Sequence, residues 1–150
     1  MANAGTTVYS GRFEHTLDDK NRLTIPSIWR WAHTDTETFL AIPHPDAYIA
    51  VLPPARVAKL LSQVSEKSLS DREAQAVKAR IFANALSFTF DKQGRFGVSA
   101  DLLRHGGIAR EAVLCGMGDT FNIMSAARWS DLQASTAGEN FGDMMRRIGL

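Results

Sequence analysis

Along the chain, short apolar–polar alternations are broken by turn residues, and only a few stretches carry the three-to-four spacing of a helix. A period-two pattern runs from Gly11 to Leu17, meets a charged turn, and resumes from Arg22 to Ile25. The same layout returns from Ala85 to Phe90 and from Arg95 to Val98. Each copy leads into a short helical piece, SIWRWA or ADLLRH, and then into two apolar strands. Those strands read FLAIP and YIAVL in the first half, AVLCG and TFNIM in the second. The turns HPDA and MGD, built from turn formers, separate them. Pro53 and Pro54 suit a helix start, after which Val57, Leu60, Leu61 and Val64 share one face. Ser70 and Glu73 have capping-box spacing and predict a second helix, with Ala74, Val77, Ile81 and Phe82 on one side. Ser125 predicts the N-cap of a helix carrying Trp129 and Leu132. From Ala134 the chain is turn-rich, but Phe141, Met144, Met145 and Ile148 have the spacing of a short docking helix. The pattern as a whole predicts an α+β chain, mostly β with short helices.

The repeat is closer than a shared pattern. LDDKNRLTIP, Leu17 to Pro26, and FDKQGRFGVS, Phe90 to Ser99, lie 73 positions apart. Aligned without gaps, Thr16, Asp18, Arg22 and Asp46 fall on Thr89, Asp91, Arg95 and Asp119. Leu17, Leu23 and Ile25 fall on Phe90, Phe96 and Val98, keeping apolar character. Gly94 suits a positive φ, and Asn21 at the matching place is the next best tolerated residue there. One turn geometry is therefore expected twice. Pro26 fixes its own φ where the second copy has Ser99, which predicts a stiffer first turn. An enzyme needs one active site, whereas a long, regular, charged partner can use two grips.

Composition narrows the partner less than placement does. Lys and Arg number 17 against 16 Asp and Glu, a net charge of +1, so the total alone does not mark a nucleic-acid binder. Local patches decide steering. Between Gly11 and Trp31 the bases Arg12, Lys20, Arg22 and Arg30 are opposed by Glu14, Asp18 and Asp19. With 150 residues, the chain fits one compact domain or two small intertwined halves. No apolar run is long enough to span a membrane, and MANAGTTVYSG lacks the plan of a secretion signal. The lone Cys115 cannot form an internal disulfide and sits in an apolar run, as a buried thiol would. His15, His33, His44 and His105 show no metal-ligand spacing, and no nucleophile elbow or phosphate loop occurs. No catalytic residue, metal or cofactor is expected. Trp29 and Trp31, two apart, cannot both face the core of one short helix, so one is expected at the surface or at a contact.

GRFEHTLDDKNRLTIPSIWR and FTFDKQGRFGVSADLLRHGGI resemble the two units of the MraZ family, bacterial transcriptional regulators linked to division and cell-wall genes. The likeness covers nearly the whole chain, and the two-copy spacing carries it. The resemblance implies two tandem AbrB-like swapped-hairpin units related by a pseudo-two-fold axis. On this sequence they would span 11–61 and 85–133, with a connecting helix in 62–84 and a tail in 134–150. It implies ring-like homo-oligomers that bind double-stranded DNA at direct repeats in their own promoter, in the cytoplasm at the nucleoid. It also associates the two turns, Asp18 to Arg22 and Asp91 to Arg95, with DNA contact. Asn21 departs from the family's usual Gly before the Arg. The chemistry of the residues agrees with that role. Arginine forks suit phosphate oxygens or the guanine edge, so Arg22 and Arg95 are candidate contacts. Lys20, Lys92, Arg12 and Arg30 are candidate supporting bases. Asp18 and Asp91 cannot favourably face phosphate, so they are expected to orient the arginines or accept backbone N–H bonds. The competing reading is an oligomeric scaffold protein that does not bind DNA.

Overall fold

The computed structural model describes residues 7–34, 36–66, 71–136 and 140–150. The first half runs β1 (Arg12–Thr16), β2 (Arg22–Thr24), α1 (Ser27–Arg30), β3 (Phe39–His44), β4 (Tyr48–Leu52) and α2 (Pro54–Ser65). It continues through α3 (Arg72–Ala83), β5 (Leu86–Phe88), β6 (Arg95–Gly97), α4 (Ala100–Gly106), β7 (Glu111–Gly116) and β8 (Phe121–Met124). The helices α5 (Ala126–Thr136) and α6 (Phe141–Arg147) close it. The chain is thus α+β and dominated by antiparallel sheet, as the pattern predicts.

Periodicity assigns faces to the strands but not partners. Six strands form one sheet in the order β1-β7-β8-β4-β3-β5, and β2 pairs with β6 in a second. Strands from the two sequence halves interleave. Phe13 stands opposite Leu114, Leu40 opposite Ser87, and Ile49 opposite Ile123. Each half thereby supplies backbone partners that the other lacks.

One main core draws residues from both sheets. Leu17, Leu23, Ile25, Phe39, Ile49, Val51, Phe96, Leu114, Phe121 and Ile123 are buried in it. Trp29 is 1% exposed, edge-on to Phe13 and Tyr9, and donates its indole N–H to Ser10 O at 3.0 Å. Trp31 is 76% exposed, so the two tryptophans divide as their spacing requires. Cys115 is buried on the other side of the large sheet with Val113 and Met124.

Helix ends follow local chemistry. Pro53 caps α2 and Pro54 opens it. Ser125 accepts from Arg128 N at 3.0 Å at the start of α5. For α3 the expected cap, Ser70, lies outside the described residues; the observed N-cap is Asp71, whose carboxylate accepts from Ala74 N at 3.0 Å. The tail helix α6 forms, capped by Asn140, but Phe141, Met144 and Ile148 remain exposed rather than docked. Neither α2 nor α3 has a fully buried residue, and Leu61 and Val77 are half exposed. Among the described residues no helix is long and apolar enough to cross a membrane.

Candidate nucleic-acid interface

The first turn is built around one carboxylate. Asp18 Oδ1 accepts from Lys20 N and Arg22 N, both at 2.9 Å. Its Oδ2 accepts from Arg22 Nε at 2.6 Å. The backbone closes with Asn21 N donating to Asp18 O, and Asp18 N to Arg22 O, each at 3.0 Å. The second turn repeats this bond for bond. Asp91 Oδ1 accepts from Gln93 N at 2.9 Å and Arg95 N at 2.8 Å, and Oδ2 from Arg95 Nε at 2.9 Å. Asn21 has φ 57° and Gly94 φ 75°, so both occupy the left-handed region on which the match depends. The expected shared turn geometry is present.

Both carboxyls sit below the usual carboxylate range. The largest cause is the backbone N–H of the following arginine, Arg22 for Asp18 and Arg95 for Asp91, with the arginine side chain adding to it. Each acid is therefore an anchor that stays ionised and holds its arginine in place.

The turns meet through β2 and β6. Arg22 stands opposite Gly97, Leu23 opposite Phe96, and Thr24 opposite Arg95. Alternation sends Leu23 and Phe96 into the core and leaves Arg22, Thr24, Arg95 and Gly97 on the outer face. Beyond the ladder, Ile25 N donates to Gly94 O and Val98 N to Asn21 O, both at 2.9 Å. Each turn's left-handed residue is thus held by the strand of the other half. Arg95 also reaches across, its Nη1 3.9 Å from Asp18 Oδ2.

The candidate bases separate. Lys20 and Lys92 are exposed on the two turns and make no ion pair among the described residues. Arg30 lies beside the second turn, donating Nε–H to Ile25 O at 2.8 Å. Arg12 stands at the far end of β1 from the first turn, paired with Glu14 at 3.1 Å and stacked 5.5 Å from the Trp129 ring centre. It does not join the paired turns. Thr24, Gln93 and Gly97 belong to the outer surface and were missed; the alternation around Leu23 and Phe96 was the signal that could have found Thr24 and Gly97. Ser99 adopts nearly the conformation of Pro26, φ −66° and ψ 153° against φ −51° and ψ 134°. Ser99 also caps α4, accepting from Leu102 N at 3.3 Å, so the backbone leaves both turns in nearly the same conformation with or without the proline.

A short antiparallel ribbon with an acid-anchored arginine turn at either end defines the structural class of the site. Comparison with known proteins gives the class a family. Residues 81–148 match the family model described as "MraZ protein, putative antitoxin-like". "Transcriptional regulator MraZ" of Leuconostoc mesenteroides subsp. mesenteroides is 35% identical over 130 residues, covering 87% of this chain and 90% of that protein. The protein of the same name from Leuconostoc citreum is 33% identical over 137 residues, covering 91% and 94%. That from Thermomicrobium roseum is 32% identical over 123 residues, covering 82% and 85%. The chain belongs to the MraZ family. The relatives carry the name of a regulator, not of an enzyme.

Proposed function

We propose that the protein is a sequence-specific DNA-binding transcriptional regulator that grips the duplex with its paired turns. The observation that carries this reading is the outer face of the β2–β6 ribbon, where Arg22 and Arg95 are each fixed by their own aspartate. A protruding two-stranded ribbon fits a major groove, and a pre-oriented arginine fork matches the O6 and N7 edge of guanine. Lys20 and Lys92, exposed on the turns and without an ion pair among the described residues, suit phosphate oxygens. The regulator name of the relatives supports the same role.

The strand exchange between β1 and β7, and between β3 and β5, supports two tandem swapped-hairpin units, 11–61 and 85–133, joined through 62–84 and followed by the tail 134–150. The half-exposed apolar residues of α2 and α3 suit burial in a ring-like homo-oligomer. Such a ring multiplies weak grips: linked binding exceeds single-site affinity by about 10²–10⁴ where geometry allows. Its target in this reading is direct repeats in its own promoter, ahead of division and cell-wall genes. It acts in the cytoplasm, at the nucleoid.

The test is a titration of the full chain against a duplex from its own promoter and a scrambled duplex. Tighter promoter binding is expected, with log affinity falling about 0.9 per phosphate contact for each tenfold rise in salt. Equal affinity for the two duplexes, or none for either, overturns the reading.

A further inference from the structure

The two turns match bond for bond, but their surroundings do not. Arg30, at the end of α1, donates Nε–H to Ile25 O at 2.8 Å while Ile25 N donates to Gly94 O at 2.9 Å. The Arg30 guanidinium then closes over Gly94. A Cβ placed on that glycine would collide with Arg30 Cζ, Nη1 and Nε. Gly94 is buried as a result. Both backbone groups of Ile25 and the missing side chain of Gly94 are thus used in one contact between α1 and the second turn.

The first turn has no such cover. The residue matching Arg30 is Leu103, buried in the core. The neighbouring Arg104 is exposed and paired with Asp101 at 2.9 Å. Asn21, which matches Gly94, is exposed and has room for its side chain. Asn at one turn and Gly at the other therefore have one cause: a guanidinium covers only the second. The arginine forks differ as well. Arg95 Nη2 donates to Gln93 Oε1 at 3.2 Å and its Nη1 faces Asp18. Among the described residues neither Nη of Arg22 has a hydrogen-bond partner.

We propose that Arg30 is a positioning residue that clamps the second turn onto α1, so the two turns engage DNA unequally. Arg95 is held in place before binding and fixes the register of the protein on the duplex. Arg22, its fork open, supplies the base readout. A pre-held contact loses little freedom on binding, and an open planar fork accepts a bidentate partner. The division of roles rests on the DNA-binding reading; the clamp itself does not.

Hydrogen exchange on the full chain tests the clamp, with Arg30→Ala, Gly94→Asn and the double variant. Gly94→Asn displaces the guanidinium without removing it, and Asn21 shows that asparagine adopts the required φ. Exchange at the amides of Gln93, Gly94 and Arg95 is expected to rise about two- to tenfold in either variant. No further rise is expected in the double variant, because both changes remove one contact. The amides of Lys20, Asn21 and Arg22 should not change. Exchange unaltered at the second turn, raised equally at both turns, or additive in the double variant overturns the clamp. In promoter titrations, Arg30→Ala should lower affinity at an unchanged salt slope. A slope reduced by about one unit would make Arg30 a phosphate contact and overturn the positioning role. If the unaltered protein shows no preference for its promoter, the DNA reading fails, and the exchange data still decide the clamp.

Discussion

Leu23 stands opposite Phe96 at the centre of the two-stranded ribbon, and the backbone on either side of that pair makes the same bonds twice. Val98 N reaches Asn21 O and Ile25 N reaches Gly94 O, so neither turn is set by its own half alone. Two local Asp–Arg motifs become one outer surface because their strands pair with each other.

Removing either anchor should disable its turn without unfolding the protein. Asp18→Ala deletes acceptors for Lys20 N, Arg22 N and Arg22 Nε at a half-buried position outside the core. Thermal melting by circular dichroism should stay close to that of the unaltered chain, while promoter affinity falls. Full affinity in both Asp18→Ala and Asp91→Ala would show that the carboxylates do not hold the arginines for binding.

The same acids set a pH dependence. Both carboxyls are held below their ordinary value of 3.8, chiefly by arginine backbone N–H groups. A group lowered in the folded state adds stability that is complete above its unfolded value and disappears as pH falls through the folded one. The turns should therefore be unchanged from neutrality down to about pH 5 and loosen only in stronger acid. Carbon NMR of the two side-chain carboxyls should show midpoints below 3.8. Midpoints above that value would contradict the bonding described.

The two tryptophans should respond oppositely. Trp29→Ala removes a buried indole, its contacts with Phe13, Tyr9 and Phe121, and the bond to Ser10 O. A loss of about 3–5 kcal/mol is expected in denaturant unfolding. Trp31→Ala, at an exposed site, should stay within about 0.5 kcal/mol. Comparable losses in the two variants would place Trp31 in a contact that matters for folding.

Cys115 should be inert. Burial pushes its thiol up to about 11, against a smaller opposing pull from Arg12. At neutral pH the thiolate is scarce and the sulfur is covered. A thiol reagent should label the native protein slowly and the denatured protein at once; rapid native labelling would contradict the packing.

Much of this was legible in the sequence because it is local. The spacing of Asp18 and Arg22, repeated at Asp91 and Arg95, specifies a turn whose bonds span four residues, and Asn21 and Gly94 announce its left-handed position. The alternation around Leu23 and Phe96 gave the strands their faces. Strand partners were not legible: Phe13 and Leu114 are far apart in the chain, and a period of two does not say which edge meets which. Nor was the cover over Gly94, since it comes from a residue on α1, brought across by the pairing of β2 with β6. Nor was the position of Arg12: it is near Arg22 in sequence, but one extended strand carries it away from the paired turns to Trp129.

On the proposed function, the paired turns are the DNA grip. The most direct test titrates the unaltered chain, Arg22→Ala, Arg95→Ala and Arg56→Ala against promoter and scrambled duplexes at several salt concentrations. Arg56 lies on α2, paired with Asp119 at 3.3 Å and away from the ribbon. Arg22→Ala should lose about 1–3 kcal/mol of discrimination between the duplexes, and Arg95→Ala should weaken binding to both, while Arg56→Ala keeps the unaltered affinity. Equal affinities for Arg22→Ala and Arg56→Ala, with folding intact, would contradict the claim.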